Sequence, residues 1–74
     1  MNELELINLF SKNLKRMMEE DNIKQEDLAN EINISRTMIS RYINGQCIPS
    51  FLTVVKLSDA LFCSIDDFLK REES

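Results

Sequence analysis

The side chains best suited to chemistry lie between Ser35 and Asn44. There Arg36, Thr37, Ser40, Arg41 and Asn44 recur at helical spacing on one face, opposite Ile39, Tyr42 and Ile43. That face carries two guanidinium groups, two hydroxyls and an amide, and no carboxylate. Such a surface donates hydrogen bonds and holds positive charge, so its chemistry is recognition. Arginine can bond a guanine edge bidentately, and a thioether such as that of neighbouring Met38 can touch a thymine methyl. The competing reading of Arg36 and Arg41 is a solvated helix face with no partner.

Other chemistries have little to work with. The chain contains no histidine, which removes the commonest general base and the commonest nitrogen ligand for metals. Cys47 and Cys63 stand 16 positions apart and form no CxxC pair, so neither a zinc site nor a dithiol redox site is expected. No catalytic residue, metal, cofactor or small-molecule ligand is assigned. The sequence has no signal-peptide core and no long apolar run, which points to a cytoplasmic protein with reduced thiols and no membrane contact.

A net charge of −4 argues at first against an anionic partner, because phosphate contacts dominate nucleic-acid affinity. The distribution matters more than the sum. Between Ile32 and Ser58 there is no acidic residue, while Arg36, Arg41 and Lys56 give that segment three positive charges. An acidic molecule with one acid-free face can still approach nucleic acid through that face. Chance clearing of acids from a loop-rich middle is the alternative.

Five helices are needed to position these residues. Asn2 and Glu5 form a capping box that opens the first near Glu3, and Leu6, Ile7, Phe10, Leu14, Met17 and Met18 give it one apolar stripe. It ends around Asp21 and Asn22. A second helix runs from Gln25 to Glu31 with Leu28, Ala29 and Ile32 inward, and Asn33 supplies a turn residue able to take positive φ. Ser35 caps the third helix, Ile34 packs before it, and Gly45 closes it. Ser50, after Pro49, caps a fourth whose buried face holds Phe51, Val54, Val55, Leu57, Ala60 and Leu61. Ser64 and Asp67 open a fifth containing Ile65, Phe68 and Leu69, after which residues 72–74 are expected to fray. With 74 residues, one Gly and one Pro, the chain is expected to form a single all-α domain spanning residues 1–74, a compact five-helix bundle.

Taken together, these landmarks resemble the lambda-repressor-like helix-turn-helix family, also called the Xre family of bacterial and phage regulators. The signs are Gln25 followed by EDLA, the turn Ile32-Asn33-Ile34-Ser35, the helix RTMISRY, and Asn44-Gly45 with Pro49-Ser50 just beyond. Leu57-Ser58-Asp59-Ala60-Leu61 and Ser64-Ile65-Asp66-Asp67-Phe68 match the family's last two helices. The resemblance covers roughly Leu14 to Leu69 and implies that helices 2 and 3 form the helix-turn-helix. It implies that Arg36, Thr37 and Arg41 read base edges, with Met38 and Ser40 at the margin. Gln25, Asn44 and Gln46 would hold phosphates. It further implies a sequence-specific regulator of transcription, a repressor binding double-stranded DNA as a homodimer on a palindromic operator.

Departures from the family pattern are informative. Many members join an arginine late in helix 1 to a glutamate near the end of helix 3; the matching positions are Met18 and Ile43, so these two are expected to touch. Lys24 stands where a capping Ser or Thr is frequent, and Phe62 where glycine is frequent. Phe62, Phe68 and Leu69 exceed what a small core obviously needs and are candidates for a dimer contact. The chain leaves no room for an effector domain, so control is expected through concentration or an antagonist or partner protein. The alternative function is a protein-interaction module of the same fold, an antitoxin or sporulation-type regulator with minor DNA contact. The operator sequence and the sign of regulation are not legible.

Overall fold

A computed structural model describes residues 1–71, and the expected fraying of residues 72–74 lies outside them. The described residues form four α-helices, α1 (Glu3–Glu20), α2 (Gln25–Ile32), α3 (Arg36–Ile43) and α4 (Phe51–Ala60), followed by a 3₁₀ turn, Ile65–Leu69. Each helix starts close to where its capping residue predicts. The Asn2 side chain accepts the Glu5 N–H at 2.8 Å, Ser35 accepts that of Met38 at 3.2 Å and Ser50 that of Thr53 at 3.2 Å. Lys24 precedes α2 without a side-chain cap, so the first turn of that helix depends on tertiary support.

The helix ends share one device. Asn22 (φ 54°), Asn33 (φ 60°), Gly45 (φ 69°) and Phe62 (φ 53°) all adopt the left-handed conformation after α1, α2, α3 and α4. In each case the next residue sends its N–H back five positions: Ile23 to Met18 at 2.8 Å, Ile34 to Ala29 at 3.0 Å, Gln46 to Arg41 at 2.9 Å and Cys63 to Ser58 at 3.0 Å. This is the Schellman closure, which satisfies carbonyls that a helix end would otherwise leave unpaired. At Gly45 an added Cβ would meet only ordinary contacts 3.6 Å from Ile7 and Ser11, so glycine answers the backbone angle there and not a lack of space.

The expected fifth helix is a correction: the segment is a single 3₁₀ turn. Ser64 opens it as anticipated, its N–H donating to Asp67 Oδ2 at 2.9 Å. The Asn13 amide then donates to the carbonyls of Phe68 and Lys70, at 2.8 and 2.9 Å. Lys70 follows the turn in extended backbone, and the two bonds fasten the segment to α1. Phe68, proposed above as a dimer contact, is 1% exposed and belongs to the core. Its ring lies 5.2 Å from that of Phe10, which meets Tyr42 edge-on at 6.0 Å. Leu14, Leu28, Ile39 and Leu57 complete the fully buried centre, each side chain contributing about 1.5–3 kcal/mol of burial.

A second correction concerns α4. Phe51, assigned to its inner face, is 75% exposed, and the buried residues of that helix are Leu57 and Ser58. Phe51 and Leu52 are adjacent in the first turn, and Leu52 is exposed as well. Met18 is buried and Ile43 half-buried, and both line one surface hollow between α1, α2 and α3.

Candidate nucleic-acid interface

The face of α3 is fixed from three directions. The left-handed Asn33 reverses the chain after α2, Ile34 packs on the core, and the Ser35 hydroxyl caps the first turn. Ile39 and Tyr42 are buried beneath the helix. Burial pushes the Tyr42 phenol above its ordinary value, and the neighbouring Cys47 thiol adds to the rise, while a hydrogen bond with Thr53 opposes it. The ring meets Phe10 edge-on and so ties α3 to α1.

With the apolar side so held, the polar side is presented outward. Arg36, Thr37, Ser40, Arg41 and Gln46 line one shallow concavity. No carboxylate lines it, and among the described residues neither Arg36 nor Arg41 forms an ion pair; the pairs present are Arg16–Glu20, Lys70–Asp67 and Arg71–Glu5. Asn44 lies at the end of the same face, its amide donating to Ser40 Oγ at 3.4 Å. Two arginines with no internal partner, beside hydroxyl and amide groups, are equipped to bond an acceptor-rich partner.

Not every anticipated residue joins this group. Met38 is half-buried against the core, so only part of its thioether is available outside. Gln25 lines the separate hollow that holds Lys15, Met18, Glu19, Asn22, Ile23 and Ile43, flanking the α3 face at the start of α2. Lys56 lies with Glu31 and Asp59 in another hollow; its charge belongs among acids, and the positive character of the α3 face rests on the two arginines. Of the three residues proposed for a dimer contact, Phe62 is 95% exposed at the far end of α4 and Leu69 is partly exposed on the 3₁₀ turn.

The structure adds residues that the sequence reading missed. Ile48, Phe51, Ile65 and Leu69 rim an uncharged groove next to the α3 concavity, with Leu6, Phe10, Val54 and Phe68 beneath. A signal for it was present in adjacent Phe51 and Leu52, which cannot both face inward from one helical turn. Among the described residues no group of Cys, Asp or Glu side chains is arranged to hold a metal ion, and no helix is long and apolar enough to cross a membrane.

Comparison with known proteins agrees with this architecture. A helix-turn-helix family matches residues 14–68. The chain is 30% identical over 66 residues to the uncharacterised HTH-type transcriptional regulator YqaE of Bacillus subtilis, covering 89% of this chain and 57% of that protein. It is 40% identical over 50 residues to the cryptic phage CTXphi transcriptional repressor RstR of Vibrio cholerae, covering 68% of this chain and 45% of that one. A third relative, 31% identical over 64 residues, is the HTH-type transcriptional activator BcrR of Enterococcus faecalis, with 86% of this chain and 31% of the relative covered. The chain thus spans little more than half of the first relative's length and less of the others.

Proposed function

Because the chain belongs to the lambda-repressor-like helix-turn-helix family, we propose that it is a sequence-specific double-stranded DNA-binding regulator of transcription, a repressor that acts as a homodimer on a palindromic operator. The observation that carries this reading is the acid-free concavity formed by Arg36, Thr37, Ser40, Arg41 and Gln46 on α3 and the loop after it. An α-helix fits the major groove, where each base pair shows a distinct pattern of donors and acceptors. Arg36 and Arg41 supply bidentate donors to base edges. Thr37 and Ser40 offer hydroxyls, and the exposed part of Met38 offers an apolar contact.

Gln25 on one flank and Asn44 with Gln46 on the other hold the phosphate backbone, setting the depth and angle of α3 in the groove. One helix of eight residues touches only a few base pairs, so a two-fold dimer on half-sites about one helical turn apart supplies the remaining affinity and specificity. With only two arginines on the reading face, affinity is moderate and falls as salt rises. Fluorescence anisotropy with the DNA upstream of the protein's own gene, against random duplex of equal length, tests the proposal. Specific binding that weakens with added salt supports it; binding no better than to random duplex, without salt dependence, refutes it.

A further inference from the structure

We infer that α1 makes a DNA contact of its own: its outer edge, with Asn8 at the start and Lys12 and Lys15 along it, holds the phosphate backbone between the two flanks of the α3 face. This deepens the DNA-binding reading above and rests on it.

The distribution of acids gives the first support. The stretch from Leu6 to Met18 contains no acidic residue and carries Lys12, Lys15 and Arg16. It is a second cleared segment in a chain with 13 acidic residues and a net charge of −4. Because α1 packs on α3, this segment adjoins the acid-free one that contains the reading face. An anionic partner reaching α3 can therefore also meet α1 without opposing charge.

Position gives the second. Asn8, Lys12 and Lys15 are spaced by four and three residues, so they share one edge of the helix, and all three are exposed. The edge begins beside the end of α3, where a Cβ added at Gly45 would lie 3.6 Å from Ser11 Oγ and 4.0 Å from Asn8 Oδ1. Gly45 stands between Asn44 and Gln46, which the proposed function assigns to phosphates. About 10 Å further along α1, Lys15 lines the same hollow as Gln25, the phosphate residue of the opposite flank. The edge thus runs from one flank to the other.

Availability gives the third. Arg16 is engaged within the protein, pairing with Glu20 at 3.0 Å and donating to Asn13 at 3.1 Å. Among the described residues neither Lys12 nor Lys15 forms an ion pair. Of the acids at the ends of the edge, Glu5 is held by Arg71 at 3.7 Å, while Glu19 shares the hollow with Lys15 and closes the cationic stretch there. Lysine acts on a phosphate as a point charge on a flexible stem, so exposed lysines suit this role without a rigid pocket. Such contacts add affinity for every duplex and carry no base information.

Fluorescence anisotropy from 50 to 200 mM salt tests the assignment, with Lys12→Gln, Lys15→Gln and the double variant on both the gene's upstream DNA and random duplex. Lys56→Gln, whose lysine lies with Glu31 and Asp59, is the control, and circular dichroism confirms that each variant folds. Each single change should weaken both duplexes by the same factor and lower the slope of log affinity against log salt by ~0.9, and the double by ~1.8. The advantage of wild type over a single variant should then shrink ~3-fold across that salt range. Lys56→Gln should leave the slope unchanged. A folded double variant with the wild-type slope overturns the inference. So does an equal loss in Lys56→Gln, which would assign the effect to net charge, or a loss confined to the upstream DNA, which would assign it to base reading. A wild type without salt-sensitive binding removes both the DNA reading and this contact, whereas salt-sensitive binding unchanged in the double variant removes the α1 contact alone.

Discussion

Asn13→Ala is the substitution with the most to reveal about how the C-terminal segment is held. Asn13 is 4% exposed in the middle of α1. Its amide donates to the Phe68 carbonyl at 2.8 Å and the Lys70 carbonyl at 2.9 Å, and its oxygen accepts from Arg16 at 3.1 Å. Alanine removes both donors. Losing the part-buried bond to Lys70 costs about 1 kcal/mol net, and leaving the buried Phe68 carbonyl unpaired costs about 1–3 kcal/mol, so the expected loss is about 2–4 kcal/mol. A chain of 74 residues has a total stability of roughly 4–11 kcal/mol, which makes this a large share. At about 4–8 °C per kcal/mol for a domain this small, the melting temperature should fall by about 10–30 °C. Thermal and urea denaturation followed by circular dichroism measure the loss. Asn13→Asp separates donation from shape, because a carboxylate of the same size places acceptor oxygens against the two carbonyls and should be at least as damaging. A loss below about 0.5 kcal/mol, or full stability in Asn13→Asp, would falsify the claim that this amide fastens the 3₁₀ turn.

Three further outcomes are expected. Arg41→Ala should reduce discrimination at a few operator base pairs by ~1–3 kcal/mol, while Gln25→Ala weakens all duplexes alike; anisotropy against a panel of single-base operator variants distinguishes the two patterns. Phe62→Gly should raise stability by about 0.5–1 kcal/mol, since the ring is 95% exposed and its backbone is left-handed at φ 53°; a lower melting temperature would show that the aromatic ring supports the fold. The Asp67 carboxyl is held below its ordinary value by the Ser64 N–H and then by Lys70, so its contribution is present above about pH 4 and lost as pH falls through its lowered folded value. Melting curves of wild type and Asp67→Ala should therefore differ at neutral pH and converge in acid; a gap that widens in acid would contradict this.

Local signals were the legible part of this fold. Asn2, Ser35 and Ser50 cap helices because their side chains reach an N–H three residues ahead, a relation contained within one turn of sequence. Asn22 and Asn33 turn left-handed for reasons equally local. The polar face of α3 was legible too, because periodicity alone separates Arg36 and Arg41 from Ile39 and Tyr42. What escaped depends on distant partners. Nothing near Asn13 in sequence announces acceptors 55 and 57 residues away, yet those bonds hold the 3₁₀ turn against α1. Phe51 reads as core by hydrophobicity, but in the packed α4 segment the buried side chains are those of Leu57 and Leu61. Lys56 counted toward a basic face until folding set it beside Glu31 and Asp59.

The shared left-handed stops after the helices bear on how such a protein can diverge. Gln46 returns its N–H to Arg41 within α3 itself, so the end of α3 is settled before the chain reaches Ile48. The stretch that follows, up to the Ser50 cap, can then gain or lose residues without moving Arg36 or Arg41. On the proposed reading, contacts made by the α3 face and contacts made by the Ile48 and Phe51 region are in this sense structurally separate, since the two surfaces share no lining residue.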